Sequence, residues 1–187
     1  MIDWKGKPVT LRSQRLLLDT LNTSDAEAVL DWTNTPEIVR NFQFFTSKLS
    51  VEDESSYIAK MNSSSSDILL GLFLGGPELI GTCGLHEIDF KNDTARLGVI
   101  VGKREYWNHG YAKEAIRALL HFAFEVMNLH KVYLNVFVTN ERGVHLYSEV
   151  GFQTEGTLRK EYKIRGEYVD MFRMAILKEQ FISQRGL

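Results

Sequence analysis

The chain has 187 residues, 44% hydrophobic and 25% charged, with a net charge of −2 and one cysteine, Cys83. That balance suits one soluble domain over residues 1–187 with a sizeable core, and gives no basic face for nucleic acid, no intrachain disulfide framework and no cysteine-based zinc site. No apolar run approaches the roughly 20 residues needed to span a bilayer, and residues 1–6 lack the apolar core of a signal peptide, so a cytoplasmic location without membrane, nucleic-acid or metal partners is expected.

Residues 11–21 predict a first strand centred on Leu16, Leu17 and Leu18. Ser24 with Glu27 three residues on fits a capping box, opening a helix over Ala26–Thr33. Asn34-Thr35-Pro36 ends it, and residues 37–45 are aromatic-rich and irregular. Ser50 starts a second helix, to about Met61, with Glu52, Asp53 and Glu54 at the positive end of its dipole. The four serines at 63–66 suggest a flexible loop. The period then changes. Ile68–Leu74, Glu78–Asp89 and Thr94–Val101 predict three antiparallel strands, with turns at Gly75-Gly76-Pro77 and Lys91-Asn92-Asp93. Residues 112–127 carry Ala115, Leu119, Phe122, Ala123 and Val126 at helical spacing. A strand over 132–138 follows, then a helix over Glu141–Val150 capped by Asn140. A hairpin of 153–163 with 168–177, turned at Arg165-Gly166, closes the chain. The order is β-α-α-β-β-β-α-β-α-β-β, a mixed α/β (α+β) domain of about seven strands and about four helices.

Residues 105–114, Glu-Tyr-Trp-Asn-His-Gly-Tyr-Ala-Lys-Glu, follow the apolar run 97–101 and open the long helix. The first N–H groups of a helix have no intrahelical partner and sit at its positive end. A pyrophosphate placed there is held by backbone donors. No Gly-x-x-x-x-Gly-Lys-Ser/Thr is present, which excludes a nucleoside-triphosphatase loop. No Gly-x-Gly-x-x-Gly follows an early strand, which argues against a dinucleotide fold. By itself, Gly110 equally suits a plain turn before a helix.

Three patterns in order are similar to a known family. Trp107-Asn108-His109-Gly110-Tyr111-Ala112 resembles Gln/Arg-x-x-Gly-x-Gly/Ala, with Trp107 departing at the entry. Asn140 to Phe152 resembles Asn-x-x-Ser-x-x-x-Tyr-x-x-x-Gly-Phe, with Gly143 in place of Ser. Leu16–Thr20 is followed by a Ser-Asp-Ala helix start. Together, over about residues 11–177, they resemble the GNAT superfamily of acetyl-CoA-dependent N-acetyltransferases. Trp107 looks like the branch that holds ribosomal-protein N-terminal acetyltransferases, spermidine acetyltransferases and several amino-sugar acetyltransferases.

The resemblance implies a central, mixed, mostly antiparallel twisted sheet and acetyl-CoA as donor co-substrate. The acceptor it implies is a primary amine: a protein N-terminus, a polyamine, or a small amino compound or amino sugar. A homodimer is compatible with it. It carries pyrophosphate binding onto Trp107, Asn108, His109, Gly110, Tyr111 and Ala112, and pantetheine binding onto the strand backbone at Val99, Ile100 and Val101. Asn140 is implied at the pantetheine, and equally suits a helix N-cap. Tyr147 is implied as the phenol that protonates the leaving thiolate, and equally suits a core position beside Val144 and Val150.

A protonated amine also needs a base. Glu87, near the end of its strand, is the first candidate, with Asp89 and Glu52 behind it. His86 and Glu87 alternate faces, so only one of them points into a cleft. The family often has a Glu where this chain has Arg96. That departure, with Gly143, leaves a second expectation, a non-catalytic acyl-CoA-binding or interaction module. Cys83 suits a buried apolar position better than a nucleophile.

Overall fold

The computed structural model describes residues 8–35, 38, 49–164 and 166–183. Eight strands make one sheet: β1 (Thr10–Arg12), β2 (Leu16–Thr20), β3 (Ile68–Leu74), β4 (Glu78–Asp89), β5 (Thr94–Val101), β6 (Lys131–Phe137), β7 (Gln153–Ile164) and β8 (Glu167–Leu177). Their spatial order is β1-β2-β3-β4-β5-β6-β8-β7. Every neighbouring pair is antiparallel except β5 and β6. The helices are α1 (Ala26–Thr33), α2 (Val51–Asn62), α3 (Tyr111–His121), α4 (Glu141–Val150) and α5 (Lys178–Ser183).

The sheet is covered on both faces. α3 buries Ala115, Ile116, Leu119 and Leu120 in one core with Leu97, Val99, Val132 and Leu134. The period of two along β5 and β6 sends these strand residues to the α3 face. On the other face α1 and α2 bury Trp32, Ile58 and Met61 with Leu21, Leu69 and Leu79. Each fully buried Leu or Ile contributes about 1.5–3 kcal/mol, so these two seams hold the elements in place.

The strand expected over 11–21 is two strands. Ser13 N–H donates to Leu16 O at 3.0 Å and turns the chain there, which makes eight strands where about seven were expected. Among the described residues α5 makes five α-helices where about four were expected. The first capping box also sits two residues earlier than Ser24 and Glu27 suggest: Asn22 N–H donates to Asp25 Oδ2 at 2.7 Å and caps a short 3-10 turn, Thr23–Asp25. At α2 the expectation holds, with Ser50 Oγ accepting from Asp53 N–H at 3.1 Å.

The long helix starts at Tyr111 and loosens after His121 into a π turn, Phe122–Val126. That widening lets three consecutive residues, Phe122, Ala123 and Phe124, all stay buried. The serines at 63–66 are hydrogen-bonded: the Ser64 and Ser66 hydroxyls donate to Asp67 at 2.8 and 3.0 Å, and Ser66 O accepts from Ile88 N–H at 2.8 Å. The aromatic stretch at 42–45 and Arg165 of the final turn lie outside the described residues.

Candidate active site

β5 and β6 pair only over residues 94–96 and 131–133. β4 holds the far edge of β5 as far as Val101, and β8 holds the far edge of β6 as far as Phe137. Each strand is committed on its outer side, so the inner edges part. The result is a cleft of 1030 Å³, walled by 97–101, residues 106–108 and 110–113 of the turn, Asn135 and Val136, and α4.

Backbone polarity in the gap follows from one bond. Gly102 N–H donates to Ile80 O at 2.8 Å, so residue 102 points to β4. Alternation then points Ile100 and Gly98 to β4 as well, and Leu97, Val99 and Val101 to the cleft. Of the three expected pantetheine positions, Val99 and Val101 offer backbone there, while Ile100 offers its side chain. The Val101 carbonyl is already taken, since the Trp107 indole Nε1 donates to it at 2.8 Å. The Trp107 ring also lies under the Arg142 guanidinium at 4.6 Å. Trp107 is thus a strut between the end of β5, the turn and α4.

The turn carries two left-handed residues, Asn108 (φ 64°) and Gly110 (φ 81°). The first helical bond of α3 runs from Glu114 N–H to Gly110 O at 3.0 Å. The N–H groups of Tyr111, Ala112 and Lys113 therefore have no intrahelical acceptor. His109 is not in the wall. Its Nδ1 lies 2.8 Å from Trp107 O, and its ring stacks on Tyr111 with centroids 6.0 Å apart.

A clamp from the β1–β2 turn fixes this corner. Glu114 accepts from Ser13 Oγ at 2.7 Å, Arg15 N–H at 2.6 Å and Arg15 Nε at 2.7 Å. Arg15 Nη1 also donates to His109 O at 3.0 Å, and its guanidinium lies 4.4 Å from the Tyr111 ring centre. Burial raises the Glu114 carboxyl, but these donors outweigh it and hold it below the usual range.

On α4, Asn140 Oδ1 caps the helix by accepting from Gly143 N–H at 3.0 Å. A Cβ at 143 would stand 2.7 Å from Asn140 Nδ2, so the folded-over cap explains why glycine replaces Ser. Tyr147 lines the cleft, with its ring edge-on to Phe152 at 5.9 Å. Burial pushes its phenol up to about 12, so it stays protonated at neutral pH. Its hydroxyl has no hydrogen-bond partner among the described residues.

Glu87 stands apart from the cleft wall. It sits at a bulge in β4 with φ 51°, 58% exposed, and both oxygens are engaged. Arg96 Nε donates to one at 3.0 Å and Tyr133 OH to the other at 2.9 Å. Arg96 does line the cleft. Asp89 accepts from Lys91 and Asn92 in the following turn, and Glu52 is exposed on α2; neither lines the cleft. Cys83 is buried, and burial pushes its thiol up.

Sequence reasoning passed over Lys113, Arg15 and Asn135. Lys113 lies within the motif, lines the cleft and reaches Glu149 of α4 at 3.4 Å. Arg15 gives no local signal, because its partners are 94 and 99 residues away. Asn135 lies in the wall with a buried Oδ1 that has no partner among the described residues, as does Nε of its cross-strand neighbour Arg173. Among the described residues no helix is long and apolar enough to cross a membrane.

Residues 15–153 match the family model described as an acetyltransferase (GNAT) domain. An uncharacterised N-acetyltransferase, p20, of Bacillus licheniformis is 29% identical over 175 residues, 92% of this chain and 98% of that one. A spermidine N(1)-acetyltransferase of Vibrio cholerae is 40% identical over 106 residues, which cover 57% of this chain and only 61% of that one. Among solved structures, spermidine N-acetyltransferase from Vibrio cholerae in complex with CoA and spermine superposes with a TM-score of 0.82 at 30% identity, covering 90% of this chain and 98% of that one. With a parted strand pair that leads to a helix N-terminus, and a family match over most of its length, the chain belongs to the GNAT family of N-acetyltransferases.

Proposed function

We propose that this chain moves an acetyl group from acetyl-CoA directly onto a primary amine, with no acetylated enzyme in between. The observation that carries this is the gap between β5 and β6, which runs from three unpaired helix N–H groups to the Tyr147 phenol. The residues present fit the donor. A pyrophosphate suits the N–H groups of Tyr111, Ala112 and Lys113, with the Lys113 ammonium beside them. An extended arm with two amides suits the free edge at Val99 and the Val101 N–H, as an added strand. Asn140 uses its oxygen for the cap and leaves Nδ2 to donate to the arm.

The donor, when bound, supplies an acetyl thioester. Tyr147 gives its proton to the departing sulfur, and the cleft edge of β5 presents N–H groups where negative charge grows on the carbonyl oxygen. The acceptor is a primary amine: a protein N-terminus, a polyamine, a small amino compound or an amino sugar. The binding-only alternative loses its two supports. Gly143 is accounted for by the Asn140 cap, and Arg96 is held by Glu87 at the cleft end.

Two measurements test the reading. Acetyl-CoA at 100 times its Kd should stabilise the fold by about 2.7 kcal/mol and raise Tm accordingly. Thiol release should then appear with at least one amine from a panel of spermidine, peptides with free N-termini, small amines and amino sugars. Binding without release on every class would turn the reading to a binding module.

The clamp gives a further expected outcome. Arg15→Ala frees His109 O and removes one of the three donors to Glu114, so the donor turn loses its brace. The KM for acetyl-CoA should rise about tenfold, equivalent to about 1.4 kcal/mol, with kcat little changed. A matching fall in kcat would instead place Arg15 in the chemical step.

A further inference from the structure

We propose that His86 is the general base of the acceptor half, with Asp67 as the residue that orients it. This rests on the acetyltransferase reading above. The bulge in β4 after His86 decides which of two neighbouring residues is covered. Glu87 swings out to Arg96 and Tyr133, while the His86 side chain stays in, 14% exposed.

The imidazole lies across two glycines. A Cβ on Gly98 would sit 3.5 Å from His86 Nε2, and one on Gly84 would sit 3.1 Å from it. Gly98 itself lines the cleft. His86 itself stands just behind the cleft wall, next to Gly98, which has no side chain to cover it.

The other nitrogen is held. His86 Nδ1 lies 3.3 Å from Asp67 Oδ1. Ser64 Oγ, Ser66 Oγ and Glu87 N–H donate to the same carboxylate at 2.8, 3.0 and 3.3 Å. Burial alone would raise Asp67, but these donors and the nearby His86 hold it below the usual range, so it is ionised. A carboxylate only accepts, so Nδ1 carries the proton and Nε2 keeps its lone pair. Nε2 has no hydrogen-bond partner among the described residues.

The surrounding charges set the sign of the pH dependence. Asp67 before β3 and Glu87 on β4 pull His86 up, while Arg96 on β5 pushes it down. Tyr57 and Glu54 of α2 face the same group of charges. Burial, the largest influence, together with Arg96, leaves His86 below its ordinary value of 6.5. The imidazole is therefore neutral at pH 7, as a base must be. Arg96, standing where the family often has a carboxylate, helps keep it so.

The proton count closes. His86 Nε2 takes one proton from the acceptor ammonium and passes it to water. The freed lone pair forms the C–N bond as the C–S bond breaks. Tyr147 protonates the thiolate, and the nitrogen's second proton replaces the one Tyr147 gave. One ammonium and one acetyl thioester become one amide, one thiol and one released proton.

His86→Gln should lower kcat/KM about 10²-fold at pH 7 and abolish an acid limb lying below pH 6.5, with the Kd for acetyl-CoA unchanged. Asp67→Asn should lower kcat/KM about tenfold and move that limb to more acid pH, since Asp67 raises His86. Gly98→Ala, which places a methyl over Nε2, should lower kcat with the fold intact; this variant and Asp67→Asn carry the test if His86→Gln does not fold. Imidazole ¹⁵N resonances at pH 7 should show Nδ1 protonated and Nε2 bare, whether or not an acceptor is known. Turnover by His86→Gln with the acid limb intact, or a proton on Nε2, would overturn this assignment alone. Absence of thiol release from the unaltered chain on every amine would overturn the acetyltransferase reading and this assignment with it.

Discussion

Tyr147→Phe is expected to lower kcat about 10²-fold while Tm and the Kd for acetyl-CoA stay where they are. The hydroxyl does nothing for the fold. It makes no hydrogen bond to any described residue, so its removal leaves no protein group unpaired. The ring keeps its edge-on contact with Phe152 and its place beside Val144 on α4. What disappears is the Tyr147 hydroxyl in the cleft wall, held in its protonated form by burial. The loss should appear as a lower kcat at saturating amine and acetyl-CoA, because the proton is needed only as the C–S bond breaks. Unaltered kcat in this variant would remove Tyr147 from the chemistry and leave it a core residue.

The second large effect belongs to the donor turn. Gly110→Val is expected to weaken acetyl-CoA binding by tenfold or more, about 1.4 kcal/mol, in excess of its cost to stability. Gly110 holds φ 81°, where an L side chain costs roughly 1–2 kcal/mol and a β-branched one is a genuine outlier. Relief of that strain rotates the peptide that aims the N–H groups at the start of α3. Protein crowding is not the reason for glycine here, since the nearest atom to a Cβ would be Arg15 Nη2 at an ordinary 3.5 Å. The control is Gly75→Val, at φ 60° in the β3–β4 turn, with nothing within 4 Å. It should cost comparable stability and leave the Kd unchanged. Equal effects on binding from both variants would mean that the turn at Gly110 does not hold the donor.

Much of this was legible in the amino-acid order because it is local. The turn before α3 and the Asn140 cap with Tyr147 two turns on each show within a dozen residues, and the β3–β4–β5 meander shows as three strand runs joined by short turns. What the order hid depends on parity and on distance. The bulge after His86 shifts the alternation, and with it which of the two side chains is covered; Glu87 was the first candidate until that shift was visible. The Arg15–Glu114 clamp joins residues 99 apart, and no local spacing announces it. The turn at Ser13 hid inside what looked like one continuous strand, since Leu11 and Leu16–Thr20 share β-forming character across it. The four serines at 63–66 looked like a flexible loop by composition, yet two of them hold Asp67. The parting of β5 from β6 follows from strand order, because only the neighbours β4 and β8 explain why the inner edges are free.

The central claim is that the cleft between β5 and β6, closed at one end by the start of α3, is where acetyl-CoA binds. Amide hydrogen exchange with and without saturating acetyl-CoA tests it most directly. Slowed exchange should appear at Val99, Val101 and residues 111–113, the amides that point into the gap or begin the helix. No slowing there, or slowing confined to the basic groove on the outer side of α3 around Arg12, Arg117 and His121, would contradict the account.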